Sequence, residues 1–235
     1  MIADNLTRVR ERIAAAAARA GRDPNEIKLV TVTKGFPVSR IVEAIEAGAD
    51  ALGENRAREA ADKFAVLGRE VEGHRLSWHI IGMLQTNKVK YVIGFADLIH
   101  SVDRQALAAE LDKRAQAAGK IQSVLIEVNV SGEKTKAGIS PDKLTSLIDS
   151  TRNLPNLKVR GLMTMAPAVS EPESARSYLR LMRELFEQQR SRLPESFDTL
   201  SMGMTGDFEV AVEEGATLVR IGRAIMGERP PVGGK

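Results

Sequence analysis

Apolar residues along the chain follow two periods in turn, and each change of period marks a change of element. Ile2, Leu6, Val9 and Ile13 are spaced by four, three and four residues, and an alanine run follows. That spacing lines one face of a helix, so the segment up to Ala20 is predicted helical, with Gly21 and Pro24 stopping it. Lys28–Thr33 is short, apolar and β-branched, which reads as a buried strand. Val38, Ile41, Val42 and Ile45 then give a helical stripe over Val38–Ala47, ended by Gly48. A second strand is expected at Ala49–Gly53 and a helix at Asn55–Gly68.

The same rhythm continues to the end. Strands are predicted at Ser77–Ile81, Asp97–Ser101, Ser123–Val130, Lys158–Met163, Thr199–Ser201 and Leu218–Ile221. Helical stretches fall between them near Thr86–Val92, Asp103–Ala118, Pro141–Asn153, Pro172–Arg192 and Asp207–Glu214. Ser140-Pro141 is a start signal, with an N-cap residue followed by proline at the first helical position. Strands that alternate with helices imply a parallel sheet with helical crossovers. Eight such units in one chain favour a single (β/α)₈ barrel of the TIM type, with an extra N-terminal helix, over an open doubly wound sheet. No linker interrupts the pattern, so residues 1–229 are expected to form one domain. Pro230–Lys235 reads as a loose tail.

Composition narrows the function classes. Hydrophobic residues make up 43% of the 235, a share that supports a packed core. Cysteine is absent, which excludes disulfides, a thiolate nucleophile and a Cys-based zinc site. The 34 basic residues nearly balance the 31 acidic ones, and a formal charge of +3 gives little field for nucleic acid. No run of about 18 apolar residues occurs, so no transmembrane helix is expected. Met1–Arg10 carries Asp4, Arg8 and Arg10 and does not read as a targeting segment. The expectation is a cytoplasmic protein with no nucleic-acid or membrane partner.

In a barrel of this kind the chemistry gathers where strands end. Lys34 directly continues the first buried strand. An amine there points into the mouth, and partial desolvation favours its neutral, nucleophilic form; a solvated loop lysine is the bland reading. Ser201-Met202-Gly203-Met204-Thr205-Gly206-Asp207 follows the seventh strand, and Arg220-Ile221-Gly222-Arg223 closes the eighth. Loops after these two strands are where such barrels bind phosphate through backbone N–H groups; ordinary capping by Thr205 or Asp207 is the alternative. Arg220 interrupts an apolar strand and needs a partner. Asn55 and Asn129 sit near strand ends and either orient a ligand or cap a turn. His79 and His100 read first as satisfied core histidines. A nucleophilic lysine facing a phosphate cradle fits two classes, a Schiff-base aldolase for a sugar phosphate and a pyridoxal phosphate (PLP) protein.

The motifs also carry a resemblance. Thr31-Val32-Thr33-Lys34, Gly53-Glu54-Asn55, Trp78-His79-Ile80-Ile81-Gly82, Leu84-Gln85-Thr86-Asn87-Lys88, Ile99-His100-Ser101-Val102-Asp103, Val128-Asn129-Val130-Ser131-Gly132, Gly161-Leu162-Met163-Thr164-Met165, Ser201–Phe208 and Val219-Arg220-Ile221-Gly222 resemble the YggS/PROSC-type family of pyridoxal phosphate homeostasis proteins. The match spans nearly the whole chain. It implies a fold-type III PLP barrel like the N-terminal domain of alanine racemase, without the racemase's β domain. It further implies PLP held as an aldimine on Lys34. Ser201, Thr205 and the backbone of Gly222 and Arg223 would hold the phosphate. Arg220 would face the pyridine nitrogen, and Asn55 and His79 would line the pocket.

Two positions depart from the family pattern: Arg223 replaces a hydroxyl residue, and Met83 stands where His is common. The resemblance implies intracellular buffering and delivery of PLP, with apo PLP-dependent enzymes as partners; a barrel mouth left exposed permits either a monomer or a weak homodimer. Robust turnover is not expected. A racemase-like enzyme of low activity is the alternative; against robust racemisation, Tyr91 and Tyr178 are the only tyrosines and both read as helix residues away from the mouth.

Overall fold

Strand β1 (Lys28–Val32) pairs with the last strand, β10 (Leu218–Ile221), and that contact closes the sheet. The computed structural model describes residues 1–133 and 135–229. The remaining barrel strands are β2 (Ala51–Glu54), β5 (Ser77–Ile80), β6 (Leu98–Val102), β7 (Gln122–Glu127), β8 (Leu157–Met163) and β9 (Thr199–Ser201). They run in the order β1-β10-β9-β8-β7-β6-β5-β2 and then return to β1, all parallel. The (β/α)₈ barrel expected from the sequence is therefore the observed fold. The proposed tail, Pro230–Lys235, lies outside the described residues.

Strand alternation divides the core into two layers. Outward residues such as Leu52, Trp78, Ile99, Ile126 and Leu200 join one large cluster with the helices. Inward residues Val30, Leu98, Leu125, Met163 and Leu218 form a separate small cluster inside the barrel. Helix α1 (Ile2–Arg19) lays Ile2, Leu6, Val9 and Ile13 against this body, as its spacing predicts. It bridges the closing seam: the Asn5 amide donates to the Ile225 carbonyl at 3.0 Å, and Arg12 pairs with both Glu209 oxygens at 2.8 Å. Helices α2 (Val38–Glu46), α3 (Ala57–Leu67), α4 (Gln105–Ala117), α5 (Leu144–Arg152), α6 (Arg176–Arg190), α7 (Phe208–Glu213) and α8 (Arg223–Met226) complete the chain. Trp78 packs edge-on to Phe64 of α3 at 5.7 Å and donates its indole N–H to the Gly68 carbonyl.

Some boundaries differ from expectation. Thr86–Tyr91 is 3₁₀ rather than α, and only Val89 in it is buried, so nothing enforces a 3.6-residue period. A two-stranded hairpin, β3 (Glu70–Val71) and β4 (His74–Arg75), was not expected, because it is too short and polar to show alternation. Strand β7 stops at Glu127 and not at Val130. Beyond it the Asn129 side chain accepts from the Gly132 N–H at 3.0 Å, so Asn129 caps a turn.

One glycine has a steric reason to be there. A Cβ on Gly161 would lie 1.8 Å from the Thr199 carbonyl oxygen, where β8 passes β9 beside a register shift. A backbone atom cannot step aside as a side-chain end can. Gly161→Ala is expected to destabilise the barrel by about 3 kcal/mol, seen as a lowered urea midpoint with an unchanged slope.

Candidate functional site

The C-terminal ends of the strands open into a cavity of about 800 Å³. Lys34, Asn55, Thr205, Arg220, Gly222 and Arg223 all line it. Six of the eight residues singled out in the sequence are thus brought together. They come from both ends of the chain because β1 and β10 are neighbours.

Lys34 has the same parity as Val30 and Val32, so its amine turns inward to the mouth. Burial pulls its pKa below the usual lysine value, and Arg229 and Arg220 add to the effect, while Glu54 and Glu59 oppose it. Both sides of Lys34 are fastened. The Lys63 ammonium donates to the Thr33 carbonyl at 2.7 Å, to Glu54 at 2.6 Å and to Glu59 at 2.8 Å. The Thr33 hydroxyl donates to Glu54 at 2.6 Å, and the Gly35 N–H donates to Glu59 at 2.5 Å. Glu54 is wholly buried, and burial pushes its carboxyl up against the opposing pull of Lys63.

Arg220 is 3% exposed. One guanidinium nitrogen donates to the Ser201 hydroxyl and another to the Thr164 carbonyl at 2.8 Å. Burial lowers its pKa to about 10, with Glu127 and Asp207 opposing, so it keeps its proton at neutral pH. The backbone N–H groups of Thr205, Gly206, Gly222 and Arg223 find no acceptor among the described residues. Four free donors beside a cation make an anion cradle. Asn55 is set by a close approach: a Cβ on Gly82 would fall 2.5 Å from the Asn55 carbonyl oxygen.

Two expectations are corrected. Ser201 does not line the mouth; it is fully buried below it, and its hydroxyl is committed to Arg220 and to His100 at 3.0 Å. His79 does not line it either: it points into the barrel like Ile81, which does reach the mouth, but two residues earlier in the strand it faces the opposite pole. Arg223 turns its side chain outward, 75% exposed, and pairs loosely with Glu228 at 3.9 Å. It therefore does not stand in for the hydroxyl common in the family. Met83 sits at the rim, 63% exposed.

The sequence reading missed Lys63 and Glu59. Their i,i+4 spacing was a visible helix signal, but nothing local linked them to Lys34. It also missed Glu127, an inward carboxyl of β7 that is 2% exposed, with one oxygen unpartnered. Burial, helped by Asp103 and opposed by Arg220, raises its pKa to about 7 from 4.5. A raised carboxyl pKa means that the folded state holds the proton longer than the unfolded one. Stability from this group is full below about pH 4.5 and is lost as pH rises through 7. The stability of Glu127→Gln relative to the parent should therefore grow by up to about 3 kcal/mol between pH 4.5 and pH 8 in paired urea titrations.

The mouth of a closed parallel barrel thus joins an inward lysine just past the first strand, a buried arginine on the last and a backbone anion cradle, which defines an anion-binding barrel with a reactive amine. The family model described as alanine racemase, N-terminal domain, matches residues 5–230. The chain belongs to this family. Within it, a pyridoxal phosphate homeostasis protein of Aquifex aeolicus is 48% identical over 226 residues, covering 96% of this chain and 97% of that one. The structure of PipY from Synechococcus elongatus PCC7942 with PLP bound has a TM-score of 0.82 at 31% identity, covering 97% of this chain and all of that one. An alanine racemase of Clostridium difficile shares the fold alone, with a TM-score of 0.70 at 16% identity, and this chain spans 58% of it.

Proposed function

We propose that this protein binds pyridoxal 5'-phosphate through Lys34 and serves PLP homeostasis by holding and releasing the cofactor. The observation that carries this reading is the convergence of a partly desolvated lysine, a protonated arginine and four free backbone N–H groups in one mouth. Lys34 supplies the amine for covalent attachment. Thr205 and the N–H groups of Gly206, Gly222 and Arg223 would hold the phosphate, Arg220 the ring nitrogen and Asn55 the cavity wall. Full-length relatives named for this function support the reading.

PLP supplies an electron sink for charge developing at an amino-acid α-carbon. Arg220 limits that sink. A guanidinium only donates, so a ring nitrogen held by Arg220 would stay unprotonated. Neither tyrosine lines the mouth: Tyr91 is in the 3₁₀ turn and Tyr178 in α6. Holding rather than turnover is what these residues favour, and delivery to apo enzymes follows from an open mouth. Among the described residues, no helix is long and apolar enough to cross a membrane.

The test is the visible spectrum of the purified protein, followed by borohydride reduction and peptide mapping. One PLP mass on the Lys34 peptide supports the reading, and a colourless protein that takes up no PLP overturns it. Arg220→Ala is expected to weaken PLP binding about tenfold or more and to move the visible band, because a charge-assisted contact is lost.

A further inference from the structure

A second cavity, of about 910 Å³, lies at the opposite pole, where the strands begin. Its floor is apolar, formed by Val30, Leu98 and Leu218 of the small interior cluster. Its wall is cationic. Arg69 and Arg160 are satisfied by Asp97 and Asp198 at 2.9 and 2.7 Å. Lys28 and Arg75 have no acidic partner among the described residues, and Arg10 donates only to the Gly48 carbonyl at 2.6 Å. Asp50 is the one lining carboxylate outside these pairs.

His79 and Ser77 face this cavity, and a chain of side chains leads from them to the mouth. Ser77 Oγ lies 3.0 Å from His79 Nε2, His79 Nδ1 lies 2.9 Å from His100 Nε2, and His100 Nδ1 lies 3.0 Å from Ser201 Oγ, which meets Arg220. Arg220 can only donate, so Ser201 accepts from it; with the Ser201 proton placed toward His100, the remaining directions follow. Ser201 accepts from Arg220 and donates to His100 Nδ1. His100 Nε2–H donates to His79, and His79 Nε2–H donates to Ser77. Two buried imidazoles are thereby held neutral in one tautomer each.

We infer that the second cavity binds a small dianion with a compact apolar body, of the aromatic phosphate monoester class, and that its occupancy is transmitted through His79, His100 and Ser201 to Arg220. Lys28 and Arg75 would take the charge and the apolar floor the body. Burial is the main reason His79 stays neutral, Asp97 opposes it and Lys28 adds to it, so an anion beside Lys28 would remove the Lys28 part and shift His79 toward its protonated form. A protonated His79 donates from Nδ1, which drives His100 to its other tautomer and leaves Ser201 accepting from both sides. The anchor of Arg220 then changes without any backbone motion. The binding claim stands apart from the PLP reading; the readout at the mouth rests on it.

The test uses phenyl phosphate. In holoprotein reduced with borohydride, the mouth is filled, and the PLP mass on the Lys34 peptide verifies it. The absence of that mass would overturn the PLP reading and not this one. Calorimetric titration is expected to show one saturable equivalent, weakened about tenfold or more in Lys28→Glu/Arg75→Glu, two exposed changes that leave the core untouched. No saturable binding, or equal binding by the double variant, overturns the site. In unreduced holoprotein, phenyl phosphate should shift the visible band, and His100→Gln should abolish the shift. A band that stays put in the parent protein, or a shift that survives in His100→Gln, overturns the transmission.

Discussion

Lys34→Ala should abolish the visible absorption of the PLP-loaded protein and leave no cofactor mass on any peptide after borohydride reduction. The effect is all or none, because Lys34 is the one lysine among the described residues that lines the mouth. Arg220 and the backbone donors would remain, so the variant should still bind PLP reversibly through the phosphate, with an affinity lower by at least the free energy of the covalent link. Dialysis should strip the variant of PLP while the parent stays loaded. A variant that still yields a reduced PLP peptide would place the attachment elsewhere.

Lys63→Met should cost about 3–5 kcal/mol of folding stability, because removing one partner leaves Glu54 buried and uncompensated. The side chains of Lys63 and Glu54 are 8% and 0% exposed, so water cannot replace the lost contact. Urea unfolding of the PLP-free protein measures this directly. A Lys63→Met/Glu54→Gln double variant should recover much of the loss, since the unpaired charge is then gone. The same variants should hold PLP less tightly, because the peptides on either side of Lys34 lose their fastening. A single variant within about 1 kcal/mol of the parent would show that the network contributes no net stability.

Much of this architecture was legible because it is written in local periods. The strands β1, β8, β9 and β10 fall within a residue or so of where β-branched runs end, and α1 follows its stripe. Lys34, Thr205, Arg220 and Gly222 were findable because each breaks the local rule of its segment. Residues whose role depends on long-range partners were not. Lys63 looks like any helix lysine until α3 packs behind β2 and brings it to the Thr33 carbonyl. Ser201 and His79 were misplaced for a related reason. A strand's parity and depth decide which pole a side chain serves, and one turn of strand separates the mouth from the interior. Glu127 did break the local rule, as an acid inside the predicted strand Ser123–Val130, but nothing local tied it to Arg220 or to the barrel interior.

The seam between β1 and β10 has one more consequence, for the order in which the protein comes into being. Lys34 leaves the ribosome long before Gly222 and the donors beside it, and α1 waits through that interval for α7 and α8 to pack on it. No chain that stops short of β10 contains both halves of the mouth. Cofactor capture by this site can only follow synthesis of β10 and the turn after it, so a loaded molecule certifies that its barrel has closed.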